Sequence, residues 1–214
     1  ANAGAVFAQS KLHKEVIQKN LNINNIISLG MNLWTDEQLA IIEQNLNNEK
    51  KKDFAIVNSS NPTKNTQGCV SYCVEKNISY TLIGSPDYSE FIKQLSSHEK
   101  YLYFPKVLET FNRVIIEARM LNCKVAATAN NGCVSEDWFG KYRGKKLIEF
   151  VREQRTRVYN DVKEAIFNNK RAISGDSNIT VILNAYRRPY NLKMQIEAIR
   201  NQTVKPKHIW LWIN

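Results

Sequence analysis

Long hydrophobic runs are missing from this chain. No stretch approaches the roughly 18 apolar residues of a membrane-spanning helix, and the first residues lack the basic and apolar regions of a secretion signal. Histidine is scarce and scattered, and no Cys-x-x-Cys pair occurs, so a zinc site is not expected. We therefore expect a reduced, intracellular protein with small buried thiols, at Cys69, Cys73, Cys123 and Cys133.

Acidic residues are outnumbered by basic ones, 20 to 30, which gives the 214-residue chain a formal charge of +10. The excess is concentrated between residues 141 and 171, where ten lysines and arginines accompany four acidic residues. Such a segment suits an anionic substrate, an acidic phospholipid surface or nucleic acid, and it is equally typical of a solvated helix face. Apolar residues make up 43% of the chain, so a packed core is expected.

The middle of the chain alternates between apolar strands and amphipathic helices. In chain order the predicted strands and helices are 54–57, 67–76, 80–83, 88–95, 101–104, 111–121 and 124–128. Short connections of this kind build a parallel sheet with right-handed crossovers, so we predict an α/β fold with a Rossmann-like parallel sheet flanked by helices. Ligands of such sheets bind beyond the carboxyl ends of the strands. The loops expected to meet there are 58–66, 84–87, 105–110 and 129–133.

The first 50 residues indicate a smaller strand–helix–strand unit followed by another helix. The predicted elements are strand 4–10, helix 11–20, strand 25–34 and helix 35–48. Thr35 is the expected N-cap of the last helix, and Gln38 completes a capping box. The charged residues Lys50–Asp53 are predicted to break the chain, and we place a domain boundary near them.

The last third of the chain changes character. A long charged helix at 145–167 leads into a polar segment, after which a β-α-β pattern follows at 178–184, 190–201 and 208–213. The predicted domains are 1–50, 51–170 and 178–214, with a linker at 171–177. The chain begins without methionine and ends within the apolar run HIWLWIN, so we expect a piece of a longer protein.

Two glutamates separated by seven residues stand near the start of the predicted helix 111–121, at Glu109 and Glu117. Here the sequence resembles the C-terminal, donor-binding half of GT-B glycosyltransferases, particularly family 4, which carry an E-x7-E motif at this point. The resemblance implies that Glu109 contacts the donor sugar and that Glu117 binds the ribose. Glu117 adjoins an apolar run, and a buried carboxylate needs a hydrogen-bonding partner. The alternative is a helix-terminal charge plus an exposed glutamate.

The resemblance also implies a place for the diphosphate of the donor. The helix start at Phe111, Asn112 and Arg113 offers backbone N–H groups and the positive end of the helix dipole. The family commonly has glycine near Asn112, whose bulkier side chain either replaces or hinders that approach. Lys64 is the match for the basic residue that neutralises the leaving diphosphate, whereas the family's arginine at the strand end is absent.

Three further positions follow the same comparison. Gly84 and Ser85 lie where the family's loop passes the nucleobase, although Gly-Ser-Pro also forms turns in its own right. Asn122 stands where the family usually has glycine, and we predict that it ends the helix in the left-handed conformation.

A second resemblance covers residues 178–214 and is carried by the stretch 179–203, ITVILNAYRRPYNLKMQIEAIRNQT. This stretch looks like the opening β-α-β unit of a GT-A glycosyltransferase of family 2. That family needs an Asp-x-Asp-type metal site farther along, and no Asp-x-Asp occurs in this chain. We therefore assign no metal and no cofactor.

The two resemblances together imply a glycosyltransferase fragment. It would transfer a sugar from a nucleoside diphosphate to a hydroxyl acceptor, in polysaccharide or surface-glycan synthesis, with Glu109 and Lys64 in the catalytic roles. The expected partners are the nucleotide sugar, a glycan or other acceptor and an acidic membrane surface, but not nucleic acid. We expect a cytoplasmic protein, with a peripheral position at the inner membrane face as the alternative, and low turnover by the fragment alone. A non-catalytic nucleotide-sugar-binding module and a basic nucleic-acid or acidic-surface binder remain as other readings.

Overall fold

A computed structural model describes the backbone of residues 6–21, 24–170, 180–185, 189–201, 206 and 208–213, and the side chains of 6–21, 24–165, 194–201 and 206. The chain divides into two compact units, Ala1–Ala165 and Ile166–Asn214. Residues 1–50 therefore belong to the same unit as the alternating strands and helices that follow them.

The first unit alternates strands and helices along most of its length. Its elements are β1 (Val6–Ala8), α1 (Lys11–Leu21), β2 (Ile26–Ser28), α2 (Asp36–Gln44), β3 (Lys51–Val57), α3 (Thr66–Glu75), β4 (Tyr80–Ile83), α4 (Tyr88–Ser96), β5 (His98–Tyr103), α5 (Arg113–Met120), β6 (Lys124–Ala127) and α6 (Gly144–Lys170), the last of which continues into the second unit. Short 3-10 helices at Pro62–Lys64 and Gly132–Ser135 follow β3 and β6.

Four of these strands form one parallel sheet in the order β4-β3-β5-β6, and β1 pairs with β2 in a separate parallel pair. The predicted α/β fold with a parallel sheet is confirmed, and its topology is compatible with a Rossmann-like fold. The chain passes from β3 to β4 and then crosses back to β5 on the other side of β3. The strand order therefore reverses between β3 and β5, and the loops after these two strands border a topological switch point.

Side chains on successive residues of the sheet point to opposite faces, which divides the core in two. Ala55 and Tyr101 pack with buried residues of α4 and α5 in the larger core. Ile56 and Leu102, their neighbours in sequence, pack against α3 in a smaller one. All four cysteines are buried and free, as predicted.

Several boundaries differ from the sequence prediction. The expected break at Lys50–Asp53 is wrong, because β3 already begins at Lys51, whose parallel partner is His98 on β5. β2 ends at Ser28 rather than continuing to residue 34, since the backbone turns at Gly30 with φ of 65°. The first residues of β3 are exposed lysines, so an apolar pattern does not predict that they belong to the strand.

The predicted helix caps are present. Thr35 and Gln38 exchange both hydrogen bonds of the capping box at the start of α2, at 3.1 and 3.2 Å. Asn122 follows α5 with φ of 63°, as predicted for the left-handed position. The predicted helix at 111–121 is shorter at both ends, because Asn112 serves as the N-cap of α5 and lies outside the helix.

The second unit has the predicted strand–helix–strand order. It contains β7 (Thr180–Ala185), α7 (Pro189–Arg200) and β8 (His208–Ile213), and β7 and β8 pair in parallel with Val181 opposite Ile209. The predicted linker at 171–177 lies outside the described residues. Among the helices that the structure describes, none has both the length and the apolar character needed to cross a membrane.

Candidate functional site

Three of the four predicted loops meet at the carboxyl edge of the sheet. The backbone N–H of Lys106 donates to the carbonyl of Thr63 at 3.0 Å, which joins the loop after β5 to the loop after β3. The N–H of Glu109 donates to Asn130 at 2.8 Å, and the N–H of Gly132 donates to Glu109 at 2.8 Å. A cavity of about 510 Å³ opens here, lined by Lys64 and by residues 107–114.

The cavity contains an ion pair between the two residues that the sequence analysis placed in catalytic roles. Lys64 is the last residue of the 3-10 helix after β3, and Glu109 lies in the loop after β5. The ammonium of Lys64 donates a hydrogen bond to Oε1 of Glu109. The Tyr103 hydroxyl donates to the same oxygen at 2.6 Å, and the Asn112 amide donates to Oε2 at 2.6 Å. The side chain of Glu109 is only 14% exposed, whereas that of Lys64 is 39% exposed.

These contacts decide the charge of Glu109. Burial alone would raise its pKa, but the hydrogen bonds from Lys64, Tyr103 and Asn112 outweigh burial, so the pKa of Glu109 is lowered from its ordinary value. Burial and the adjacent carboxylate together raise the pKa of Tyr103, which stays protonated and acts as a donor. The site therefore holds an ionised carboxylate beside a lysine at neutral pH.

We expect the substitution Lys64→Met to raise the pKa of Glu109, because it removes a cation whose hydrogen bond and charge both lower that pKa. A group with a depressed folded pKa stabilises the fold above its unfolded pKa and loses that contribution as the pH falls through the folded pKa. In the variant this contribution should therefore be smaller, and its loss should be complete at a higher pH. Carbon-13 NMR titration of the glutamate carboxyls measures the shift, with Lys106→Met at an exposed neighbouring position as the control. An unchanged Glu109 titration would contradict the ion pair.

Asn112 performs two tasks in this arrangement. Its side-chain oxygen accepts from the Ile115 N–H at 3.0 Å and caps α5, while its amide nitrogen holds Glu109. Phe111 packs against Trp138 before the helix begins, so neither Phe111 nor Asn112 belongs to the helix. The expected diphosphate contact with the N–H groups of residues 111–113 stays a prediction.

Glu117 lies apart from the cavity and is 2% exposed. Its Oε1 accepts from the Trp34 indole at 2.9 Å and from the Tyr88 hydroxyl at 3.0 Å, and the Arg113 guanidinium is 3.6 Å away. Burial raises the pKa of Glu117, opposed by these three partners. The protein itself thus provides donors of the kind assigned to a ribose, and the ribose contact stays a prediction.

Arg113 connects this buried network to the cavity, which it lines. Its guanidinium lies 5.0 Å from the centre of the Trp34 ring and donates to Gln38 at 3.0 Å. The sequence predicted a role only for the backbone of Arg113, and not for its side chain. Trp34, Tyr88 and Tyr103 were missed, although Tyr103 alternates with Tyr101 along β5 and so showed two polar aromatic residues on one face.

Gly84 and Ser85 line a different cavity, a groove of about 760 Å³ along β4 and α4. The Gly84 N–H donates to the Gln94 side chain at 3.0 Å, and Ser85 accepts from the Asp87 N–H at 3.1 Å. The structure therefore does not bring Gly84 and Ser85 into the cavity that holds Lys64. Their contact with a nucleobase stays a prediction.

Comparison with known proteins does not assign this chain to a family. No family model, no curated protein and no solved structure matches this chain. Within the residues that the structure describes, no group of three or more His, Cys, Asp or Glu side chains is placed to hold a metal ion. The function must be argued from the cavity at the switch point.

Proposed function

We propose that the first unit binds a nucleoside-diphosphate sugar at the cavity lined by Lys64 and Glu109, as the donor-binding part of a glycosyltransferase. The observation that carries this proposal is the position of the ion pair. Its two members follow β3 and β5, the strands between which the sheet order reverses. Open α/β sheets bind their ligands at that point.

The cavity offers the groups that such a donor requires. Lys64 and Arg113 line it and supply positive charge for phosphate oxygens. The ionised Glu109 accepts hydrogen bonds and suits the hydroxyl groups of a sugar. The cavity volume of about 510 Å³ lies within the range of roughly 300–1,000 Å³ that small-molecule sites occupy.

The proposed reaction breaks the bond between the anomeric carbon and the diphosphate and forms a bond from that carbon to an acceptor hydroxyl oxygen. The acceptor proton leaves, and the diphosphate takes the electron pair of the broken bond. Lys64 stabilises the charge that develops on the diphosphate, which is electrostatic catalysis. We propose a glycan hydroxyl as the acceptor.

The substitution Lys64→Met tests the proposal. We expect calorimetry to detect binding of UDP- or GDP-sugars to the wild-type protein, and we expect the variant to lose about tenfold or more in affinity, because a charge-assisted contact with phosphate is removed. Lys106→Met, an exposed lysine in the neighbouring loop, removes the same charge and should bind like the wild type. Absence of nucleotide-sugar binding, or equal affinities for the two variants, would refute the proposed site.

A non-catalytic nucleotide-sugar-binding module is the second candidate. It is favoured by the hydrogen bonds that Trp34 and Tyr88 donate to the buried Glu117. The resemblance assigns this carboxylate to the ribose, but in the structure it already accepts hydrogen bonds from the protein. Sugar-nucleotide binding by the longest available polypeptide, without release of nucleoside diphosphate in the presence of glycan acceptors, would support it over the transferase.

The basic segment gives less support to a nucleic-acid binder. Arg152 of α6 forms a bidentate pair with Glu43 at 2.9 and 3.0 Å, and Arg155 pairs with Asp36 at 2.6 Å. These two arginines are already engaged in holding α6 to α2, so their charges are structural.

A further inference from the structure

Lys64, one of the two cations that line the candidate site, is already paired with an anion of the protein. Lys64 donates to Glu109, whose two oxygens also accept from Tyr103 and Asn112. A phosphate that approaches the cavity therefore meets a neutral pair and not a free ammonium. A phosphate that binds Lys64 must either displace Glu109 from the ammonium or lie beside this ionised carboxylate, which repels it.

The two members of the pair differ in how firmly they are held. Glu109 is bound through its side chain at both oxygens and through its backbone to residues 130 and 132. Lys64 lies on a short 3-10 helix and is more than twice as exposed. Lysine side chains have four rotatable carbon–carbon bonds and no preferred fork geometry. The lysine can therefore turn toward a ligand while the carboxylate stays in place.

We propose that Glu109 is an internal anion that competes with phosphate for Lys64 and thereby sets the selectivity of the site, an inference that rests on the proposed function. A small inorganic anion that binds Lys64 either leaves Glu109 with one partner fewer in a half-buried place or lies beside the ionised carboxylate, and both arrangements are costly. A ligand that brings both a phosphate for Lys64 and a hydroxyl donor for Glu109 restores both contacts. The site therefore selects phosphorylated, hydroxyl-bearing molecules over bare phosphate or diphosphate.

Binding of inorganic diphosphate tests the competition without any sugar contact. We expect Glu109→Gln to tighten diphosphate binding by about tenfold, since it removes the negative charge that competes for the ammonium while keeping one acceptor oxygen for Tyr103 or Asn112. The double variant Glu109→Gln/Lys64→Met should lose the gain. Glu75→Gln removes one negative charge at the exposed end of α3 and should leave the affinity unchanged. An affinity of Glu109→Gln equal to or weaker than that of the wild type overturns the proposal.

A second measurement needs no variant. At mildly alkaline pH, where phosphate and its monoesters are doubly charged, wild-type protein should bind glucose 1-phosphate about tenfold more tightly than inorganic phosphate. Equal affinities would overturn the selectivity. The two proposals fail separately: nucleotide-sugar binding that depends on Lys64, with no diphosphate gain in Glu109→Gln, refutes only the competition. A diphosphate gain through Lys64 in a protein that binds no nucleotide sugar refutes only the proposed function.

Discussion

Replacement of Gly132 by alanine is expected to lower the free energy of unfolding by about 3 kcal/mol. A Cβ atom at this buried position would overlap the Ser10 hydroxyl and the carbonyl oxygen of Thr110. Overlap with a flexible side-chain end is relieved cheaply, but the Thr110 carbonyl is backbone and cannot turn away. The main chain of one of the two loops must therefore shift.

The shift would disturb both neighbours of the glycine. The Gly132 N–H donates to the carbonyl of Glu109, so displacement of the backbone at 132 moves the loop that positions this carboxylate. Ser10 is fully buried and accepts from the His13 N–H at 3.1 Å, so its displacement uncaps the start of α1.

Gly140→Ala is the matched control, because an added Cβ at Gly140 meets nothing within 4 Å. Urea unfolding of both variants and of the wild type, with equal m-values required, measures the difference. If the two alanine variants unfold at the same urea concentration, the close approach at Gly132 is not what the structure indicates.

The substitution Glu117→Ala is expected to cost a similar amount, about 3 kcal/mol. It removes the acceptor of the Trp34 indole and the Tyr88 hydroxyl and leaves these donors without their partner in the core. It also leaves Arg113 without its closest carboxylate and opens a cavity among buried side chains. Loss of an acceptor that serves the buried Trp34 indole and the half-buried Tyr88 hydroxyl belongs to the more destabilising kinds of single change.

Glu117→Gln separates the hydrogen bonds from the charge. Its amide oxygen can still accept from Trp34, so we expect a smaller loss of stability than in Glu117→Ala. Burial raises the pKa of Glu117 above 4.5, so the native state holds its proton to higher pH than the unfolded state. The contribution of this group is thus fully present below the unfolded pKa and is lost as the pH rises through the folded pKa.

Urea unfolding between acidic and neutral pH compares the three proteins. The wild type should lose the Glu117 contribution over this range, whereas Glu117→Gln should lack that slope. A Glu117→Ala variant as stable as the wild type would contradict the network. Nucleotide-sugar binding should be assayed with Glu117→Gln, because lost affinity in Glu117→Ala would also follow from unfolding.

Local signals made much of the fold predictable. The alternation of apolar strands with amphipathic helices identifies the sheet, and the capping box at Thr35 and the left-handed Asn122 depend only on nearby residues. The start of β3 was missed because Lys51 and Lys52 are exposed, so their strand conformation comes from pairing with β5 and not from an apolar pattern.

The residues of the candidate site could be predicted from the sequence, but the contact between them could not. Lys64 and Glu109 were each singled out, yet they lie 45 positions apart, and their contact depends on the sheet order that places β5 beside β3. Trp34 is 83 positions from Glu117, so no sequence window contains both. Which distant residues contact each other is determined by long-range packing, and a periodic sequence pattern does not contain it.

The contacts of α6 with the start of the chain have a consequence for synthesis on the ribosome. Arg152 and Arg155 hold α2 across 109 and 119 positions, and Arg157 donates to the carbonyl of Leu29. A nascent chain elongates from its N-terminus, so α2 emerges long before the helix that holds it. Helix α2 is therefore made well before the arginines that hold it, and a chain stopped before residue 152 would leave Asp36 and Glu43 without these arginines.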